Sequence, residues 1–272
     1  MSHPGFVEHS IDGLSRALEH ALFSEEMARR RGLLQAVDAR AKLAGLLVLI
    51  IAAAIAHRLP VLGVLWMIGA LLAVLSSIRP RDLALRLWLP VFAFAAIITL
   101  PAVFITPGRE LFVVPWLHLA ATDSGVRTAL LLLARAEVTA TFAVLLVLCT
   151  PWTRLLRALR WFRVPREAVV ILGMTYRYIF LVLETAREMF LSRRSRMAGR
   201  MAGADGRRLA AASAGVLLQH TMELSHDVHL AMLARGFRGD VFLLDEPSMR
   251  ISDGLFAAVL LAGAVTTWWM GR

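Results

Sequence analysis

The chain has 272 residues, 58% of them hydrophobic and only 18% charged, yet its formal net charge is +10. That apolar share exceeds the roughly 45–50% of a soluble domain, which argues against an ordinary cytosolic enzyme and excludes disorder. The positive excess is almost all arginine, Lys42 being the sole lysine, and suits the cytoplasmic loops of a membrane protein better than a nucleic-acid surface.

Residues 1–42 have no early apolar core, and Glu8, Asp12, Glu19, Glu25 and Glu26 punctuate them, so they do not read as a cleaved signal. They are expected to form an N-terminal cytoplasmic segment with an amphipathic helix before Arg29, Arg30 and Arg31. Transmembrane helices 1–4 fall within residues 43–150. Leu43–Ala56 is short, with Lys42 and Arg58 expected to snorkel from its ends; Leu59–Ile78 and Leu87–Gly108 are long enough to cross. Thr128–Thr150 crosses while carrying Arg135 and Glu137, two intramembrane polar candidates that a helix would point in different directions. The stretch from Arg109 to Ser124, with Trp116, is an external loop. A C-terminal transmembrane helix lies within residues 251–272, with Trp268 and Trp269 at an interface.

Between them, residues 151–250 hold two further apolar stretches, Val169–Phe190 and Leu209–Leu233. The first contains Arg177, Glu184 and Arg187, and arginines crowd both of its flanks. Crossing alone would bury three charges, at roughly 2.5–3.5 kcal/mol for each central one, and leave a basic cluster outside. Both stretches are therefore expected to be long cytoplasmic helices packed on each other. The expected fold is an all-α integral membrane protein of about five spans with a cytoplasmic insert, its N-terminus inside and its C-terminus outside.

Several chemistries are missing. A P-loop needs a glycine-rich turn and Lys-Ser/Thr, but Lys42 stands between Ala41 and Leu43. Cys149, the single cysteine, lies in an apolar run, which removes a disulfide framework and a cysteine-based metal site. There is no His-Glu-x-x-His helix; His226 and His229 share a face near Glu223 and Asp227 but lack a third well-placed ligand. No metal site, cofactor or catalytic residue is assigned.

The two insert helices end alike. The first starts after Val164–Pro165 and runs toward Ser192, Arg193, Arg194, Ser195 and Arg196, while the second is expected to start near Arg208 and end at Ala234, Arg235 and Gly236. Gly236 suits the left-handed stop of a helix, Arg235 suits the last turn, and Ala234 permits close approach by another chain. An arginine at a helix tip beside small residues suits an acidic groove on a partner; the alternative is an arginine that only caps its helix or meets anionic lipid headgroups.

These residues resemble a known family, the transmembrane T component of energy-coupling factor (ECF) transporters, in its cobalt-type CbiQ form. The resemblance runs from Val37 onward. It rests on Val37-Asp38-Ala39-Arg40-Ala41-Lys42-Leu43, on Thr150-Pro151-Trp152 with Leu155–Arg160, on Met174–Phe180, and most specifically on Ala231-Met232-Leu233-Ala234-Arg235-Gly236-Phe237. It implies a non-catalytic scaffold without cofactors in the bacterial inner membrane. Two CbiO-like ATPase subunits would dock on Arg194-Ser195 and on Ala234-Arg235-Gly236, with Arg193, Arg196 and Arg177 in support. A CbiM-like substrate-binding membrane subunit and a small CbiN-like accessory subunit would complete a cobalt importer serving cobalamin biosynthesis, in contact with lipid and not with nucleic acid. The alternatives are a T component for nickel or a vitamin, and an intramembrane enzyme using Glu137 and a histidine.

Overall fold

Leucine- and alanine-rich runs favour helix, the only open-chain structure that satisfies its own backbone in lipid. Helix is what most of the described residues form. The structure, a computed structural model, describes residues 13, 28, 32–106, 110–114, 119–196, 203–239 and 251–271. The expected N-terminal amphipathic helix with Arg29, Arg30 and Arg31, and the loop residue Trp116, lie outside them. The chain divides into two compact units, Glu26–Ala158 with Pro247–Arg272, and Met1–Glu25 with Leu159–Glu246.

In the first unit a short helix, α1 (Leu33–Ala36), precedes α2 (Ala39–Ile55) and α3 (Leu59–Leu75). One further turn, α4 (Pro80–Leu83), runs through a π turn (Ala84–Trp88) into α5 (Leu89–Ile105). The π turn has a local cause. Pro90 has no N–H for the Arg86 carbonyl and its ring would crowd that carbonyl in a regular helix, so the backbone widens. The Leu89 N–H accordingly donates five residues back, to the Ala84 carbonyl. Helices α6 (Asp123–Leu148), α7 (Trp152–Trp161) and α10 (Ile251–Gly271) follow in the chain, α7 straddling the division between units.

Helix α6 is the hub, packing on α5, α2 and α3, while α10 packs mainly on α2. Two glycines set the approach. A Cβ on Gly69 of α3 would lie 3.1 Å from Thr141 Cγ2, and one on Gly45 of α2 would lie 2.6 Å from Leu260 Cδ1. Small residues at crossings are the usual basis of helix association in lipid. Leu46, Leu49, Leu62, Leu65, Val138, Phe142 and Leu145 are buried between the helices. The outward faces are apolar as well, with Met67, Leu71, Phe94, Ile97, Ile98 and Val259 exposed. A water-facing surface rarely carries so continuous an apolar patch; this one is a membrane protein's lipid face.

The all-α class holds, and two expectations are corrected in this unit. One small hairpin is added to the helices: antiparallel β1 (Glu110–Val114) and β2 (Leu119–Thr122) occupy the expected external loop, in the register Val113 opposite Ala120. The run Leu111-Phe112-Val113-Val114 is β-favouring but too short to stand out beside the spans. Helix α6 starts at Asp123, ahead of Thr128, because Thr122 caps it, accepting the Gly125 N–H at 3.1 Å. Lys42 does not snorkel; α2 extends back to Ala39 and takes Lys42 inside.

In the second unit, α8 (Arg166–Arg196) and α9 (Gly203–Ala234) pack on one another. Among its described residues Ala186, Phe190 and Ser213 are the buried ones. Helix α9 starts at Gly203 and not near Arg208, since one internal glycine such as Gly206 weakens a helix by only about 1 kcal/mol.

Candidate functional site

The tip of α9 is built by its last five residues. Gly236 adopts φ +78°, the left-handed conformation glycine tolerates best. Its N–H donates to the Leu233 carbonyl at 2.9 Å and the Phe237 N–H to that of Met232 at 3.0 Å, the two bonds of a Schellman closure. Arg235 is thereby the C-cap, one residue beyond the expected last turn, with its own N–H on the Ala231 carbonyl at 3.2 Å. Ala234, Arg235 and Gly236 are all exposed. The arginine sits where a helix dipole favours a cation, and it is exposed among the described residues.

Helix α8 carries Arg193, Arg194, Ser195 and Arg196 in continuous helical backbone. Ser195 is exposed and donates its hydroxyl to the Ser192 carbonyl at 2.8 Å; Arg193 is half-buried. The side chains of Arg194 and Arg196 lie outside the described residues. Arg177 is exposed beside Tyr176, whose ring meets Phe180 edge-on at 5.0 Å. It stands about 25 Å from Arg194 along the helix, so it does not share that tip. Nor do Arg194 and Arg235 share one. Helix α9 spans about 48 Å from Gly203 to Arg235, while the chain from Arg194 to Gly203 reaches at most roughly 30 Å. The two tips are thus at least roughly 15–20 Å apart.

The first unit holds a polar anchor in and beside the Val37–Leu43 stretch, to which sequence reasoning gave a family resemblance but no structural role. The segment 35–42 binds the ends of three helices. Gln35 Nε2 donates to the Ser76 carbonyl at the end of α3 at 3.0 Å, and the Asp38 N–H donates to Asp253 Oδ1 in the first turn of α10 at 3.1 Å. The Asp38 carboxylate also caps α2 through the Arg40 N–H at 2.8 Å. Lys42, only 1% exposed, donates from Nζ to the carbonyl of Cys149, the C-cap of α6, at 2.8 Å. That carbonyl has no partner within its own helix, and a cation suits the negative end of the dipole. Two signals were available: the Val37–Leu43 resemblance, and a lone lysine in a chain that otherwise uses arginine.

The intramembrane candidates separate. Arg135 donates from Nη2 to the Ala56 carbonyl, the C-cap of α2, at 2.8 Å. Glu137 faces a different way, into a cavity of about 420 Å³ lined by Trp66, Ala84, Trp88, Leu89 and Phe92. Both of its carboxylate oxygens are buried and neither has a hydrogen-bond partner among the described residues. His220, His226 and His229 are exposed on α9, where Gln219 donates to Glu223 at 3.0 Å. Among the described residues no three His, Cys, Asp or Glu side chains gather as metal ligands.

Comparison with known proteins places these features in a family. The sequence matches the family model of the cobalt transport protein CbiQ over residues 31–243. It is 29% identical over 254 residues to an uncharacterized protein of Methanocaldococcus jannaschii, covering 92% of this chain and 86% of that one. It is 27% identical over 205 residues to the cobalt transport protein CbiQ of Rhodobacter capsulatus, covering 72% and 83% respectively. The matched span includes the 35–42 anchor, the π turn, and both arginine tips. The chain belongs to the CbiQ family of cobalt transport proteins.

Proposed function

We propose that the chain is the transmembrane coupling subunit of an ECF-type importer for cobalt, passing the motion of ATPase subunits to a membrane subunit that binds the ion. The observation that carries this reading is the α9 tip: an exposed arginine on a Schellman-closed helix, inside the region matched to the cobalt transport family. The separation of the Arg194 and Arg235 tips supports two grooves on two CbiO-like ATPase subunits in place of one shared site. A CbiM-like subunit would carry the ion and a CbiN-like subunit would assist it. The cytoplasmic membrane is the natural site, with α2, α3, α5, α6 and α10 crossing and α8 and α9 on the cytoplasmic side. Exposed Arg177, Glu184 and Arg187 along α8 favour that placement.

Charge reversal at the tips tests the coupling role. In cells producing the complete complex, Arg235→Glu is expected to cut cobalt uptake at least tenfold and to release an ATPase subunit on purification, while insertion of the chain is unchanged. An acidic groove that attracts a guanidinium repels a carboxylate. Arg194→Glu should affect the other ATPase contact independently. Wild-type uptake together with an intact complex in Arg235→Glu would reject the docking role.

A further inference from the structure

The cavity at Glu137 has properties that the coupling role does not use. Its walls are held firmly. Trp88, at the end of the π turn, donates from Nε1 to Thr141 Oγ1 at 3.1 Å, and Thr141 donates in turn to the Glu137 carbonyl at 2.7 Å. Trp66 packs against Trp88 with ring centroids 4.7 Å apart. Leu89 and Phe92 on the outward side are exposed, 63% and 52%, so the groove opens onto the apolar outer surface. On its floor Glu137, 8% exposed, presents two carboxylate oxygens with no hydrogen-bond partner among the described residues.

Such a carboxylate needs an occupant. Protonation alone is not one, because a neutral acid still leaves an O–H donor and a carbonyl acceptor unmet. Arg135 is taken up at the Ala56 carbonyl and does not serve. A lipid amine does not reach: along α6 Glu137 stands about 21 Å from Asp123 and about 16 Å from Leu148. Calcium or magnesium would require about six oxygen ligands, and the lining is otherwise indole, phenyl and aliphatic. What fits is an ammonium or guanidinium on a long apolar stem, which aromatic walls attract and one carboxylate neutralises.

We propose that this groove receives a basic side chain from a transmembrane helix of the partner membrane subunit, with Glu137 as its counter-charge. The inference rests on the reading of the chain as the scaffold of a multi-subunit importer. Arg135 can settle its charge on a backbone carbonyl, but a carboxylate at such depth needs a donor or a cation, so the contact supplies register and specificity between the two membrane subunits.

The test uses the co-expressed complex, purified through a tag on this chain. Glu137→Gln, nearly isosteric, is expected to keep the ATPase subunits and lose at least tenfold of the membrane subunit; Glu137→Asp should retain more than Gln does. In the unmutated Glu137 background, a photo-crosslinker replacing Phe92 should label a membrane-subunit peptide containing an intramembrane Lys or Arg. Wild-type recovery of the membrane subunit with Glu137→Gln overturns the proposal, as does a Phe92 crosslink confined to lipid or to peptides without a basic residue. If the unmutated chain brings down neither ATPase nor membrane subunit, the scaffold reading itself falls, and this inference with it.

Discussion

Lys42 and Arg235 are both cations at helix C-termini, and what surrounds them separates their roles. Lys42 meets the Cys149 carbonyl inside the helix bundle at 1% exposure, whereas Arg235 meets solvent. Replacing Lys42 by the similarly shaped methionine leaves a buried carbonyl without its donor, a loss of about 1–3 kcal/mol. Lys42→Met is therefore expected to lower the thermal unfolding midpoint of the purified chain in detergent while leaving the proposed ATPase docking at Arg235 intact. An unchanged midpoint would show that the Cys149 carbonyl finds another donor. Beyond its place in the Val37–Leu43 resemblance, the sequence displayed Lys42 as a charge beside an apolar run, and a charge there reads as snorkelling. Its actual partner is 107 residues away, a contact no local pattern reports. Arg235 was legible because the residues on either side, Ala234 and Gly236, announce its local conformation.

At the scale of elements, legibility followed glycine and charge. Three helices close with the same pair of bonds: α3 at Ser77 (φ +58°), α7 at Arg163 (φ +62°) and α9 at Gly236 (φ +78°). Only the last has the glycine that makes such a stop visible; serine and arginine there carry the strain of a left-handed backbone, about 1–2 kcal/mol each. The long helices α8 and α9 were readable from their apolar runs and flanking arginines, while the β1–β2 hairpin was hidden in a loop shorter than the periodicity it needs. Helix–helix approach was not readable at all, since a glycine inside a span does not say what faces it. Gly45 is the sharpest case, because a Cβ there meets Leu260 of α10 at Cδ1 and, at 3.3 Å, at Cβ. Gly45→Val should force α2 and α10 apart and destabilise the bundle by about 1–3 kcal/mol. Adding Leu260→Ala should restore part of the loss in a double-mutant cycle of unfolding midpoints. Equal losses in the single and double mutants would place the strain elsewhere.

For the whole molecule, the question composition leaves open is which apolar helices cross. By length and composition alone, α6 and the Arg166–Arg193 stretch of α8 are sufficient, whereas Leu59–Leu75, Leu89–Pro101 and Ile251–Thr267 are shorter. Shortness does not disqualify the latter. The 17 residues of α3 rise about 26 Å against roughly 30 Å of hydrocarbon, and exposed Arg58 and Arg79 at its ends can span the difference. Nor does length qualify α8, whose exposed Arg177, Glu184 and Arg187 would each have to enter lipid. Its flanks decide the matter more strongly. Arg154, Arg157, Arg160, Arg163 and Arg166 precede its apolar stretch Val169–Phe190, and Arg193, Arg194, Arg196 and Arg200 follow that stretch. A single crossing must put one of these clusters outside, against the positive-inside bias. With α8 and α9 both inside, all nine arginines would share the cytoplasmic face and α10 would carry the C-terminus out. A phosphatase or fluorescent reporter fused after Gly203 is therefore expected to report the cytoplasm, and one fused after Arg272 the exterior. A Gly203 reporter on the outside would put α8 across the bilayer and remove Arg194 from reach of any ATPase.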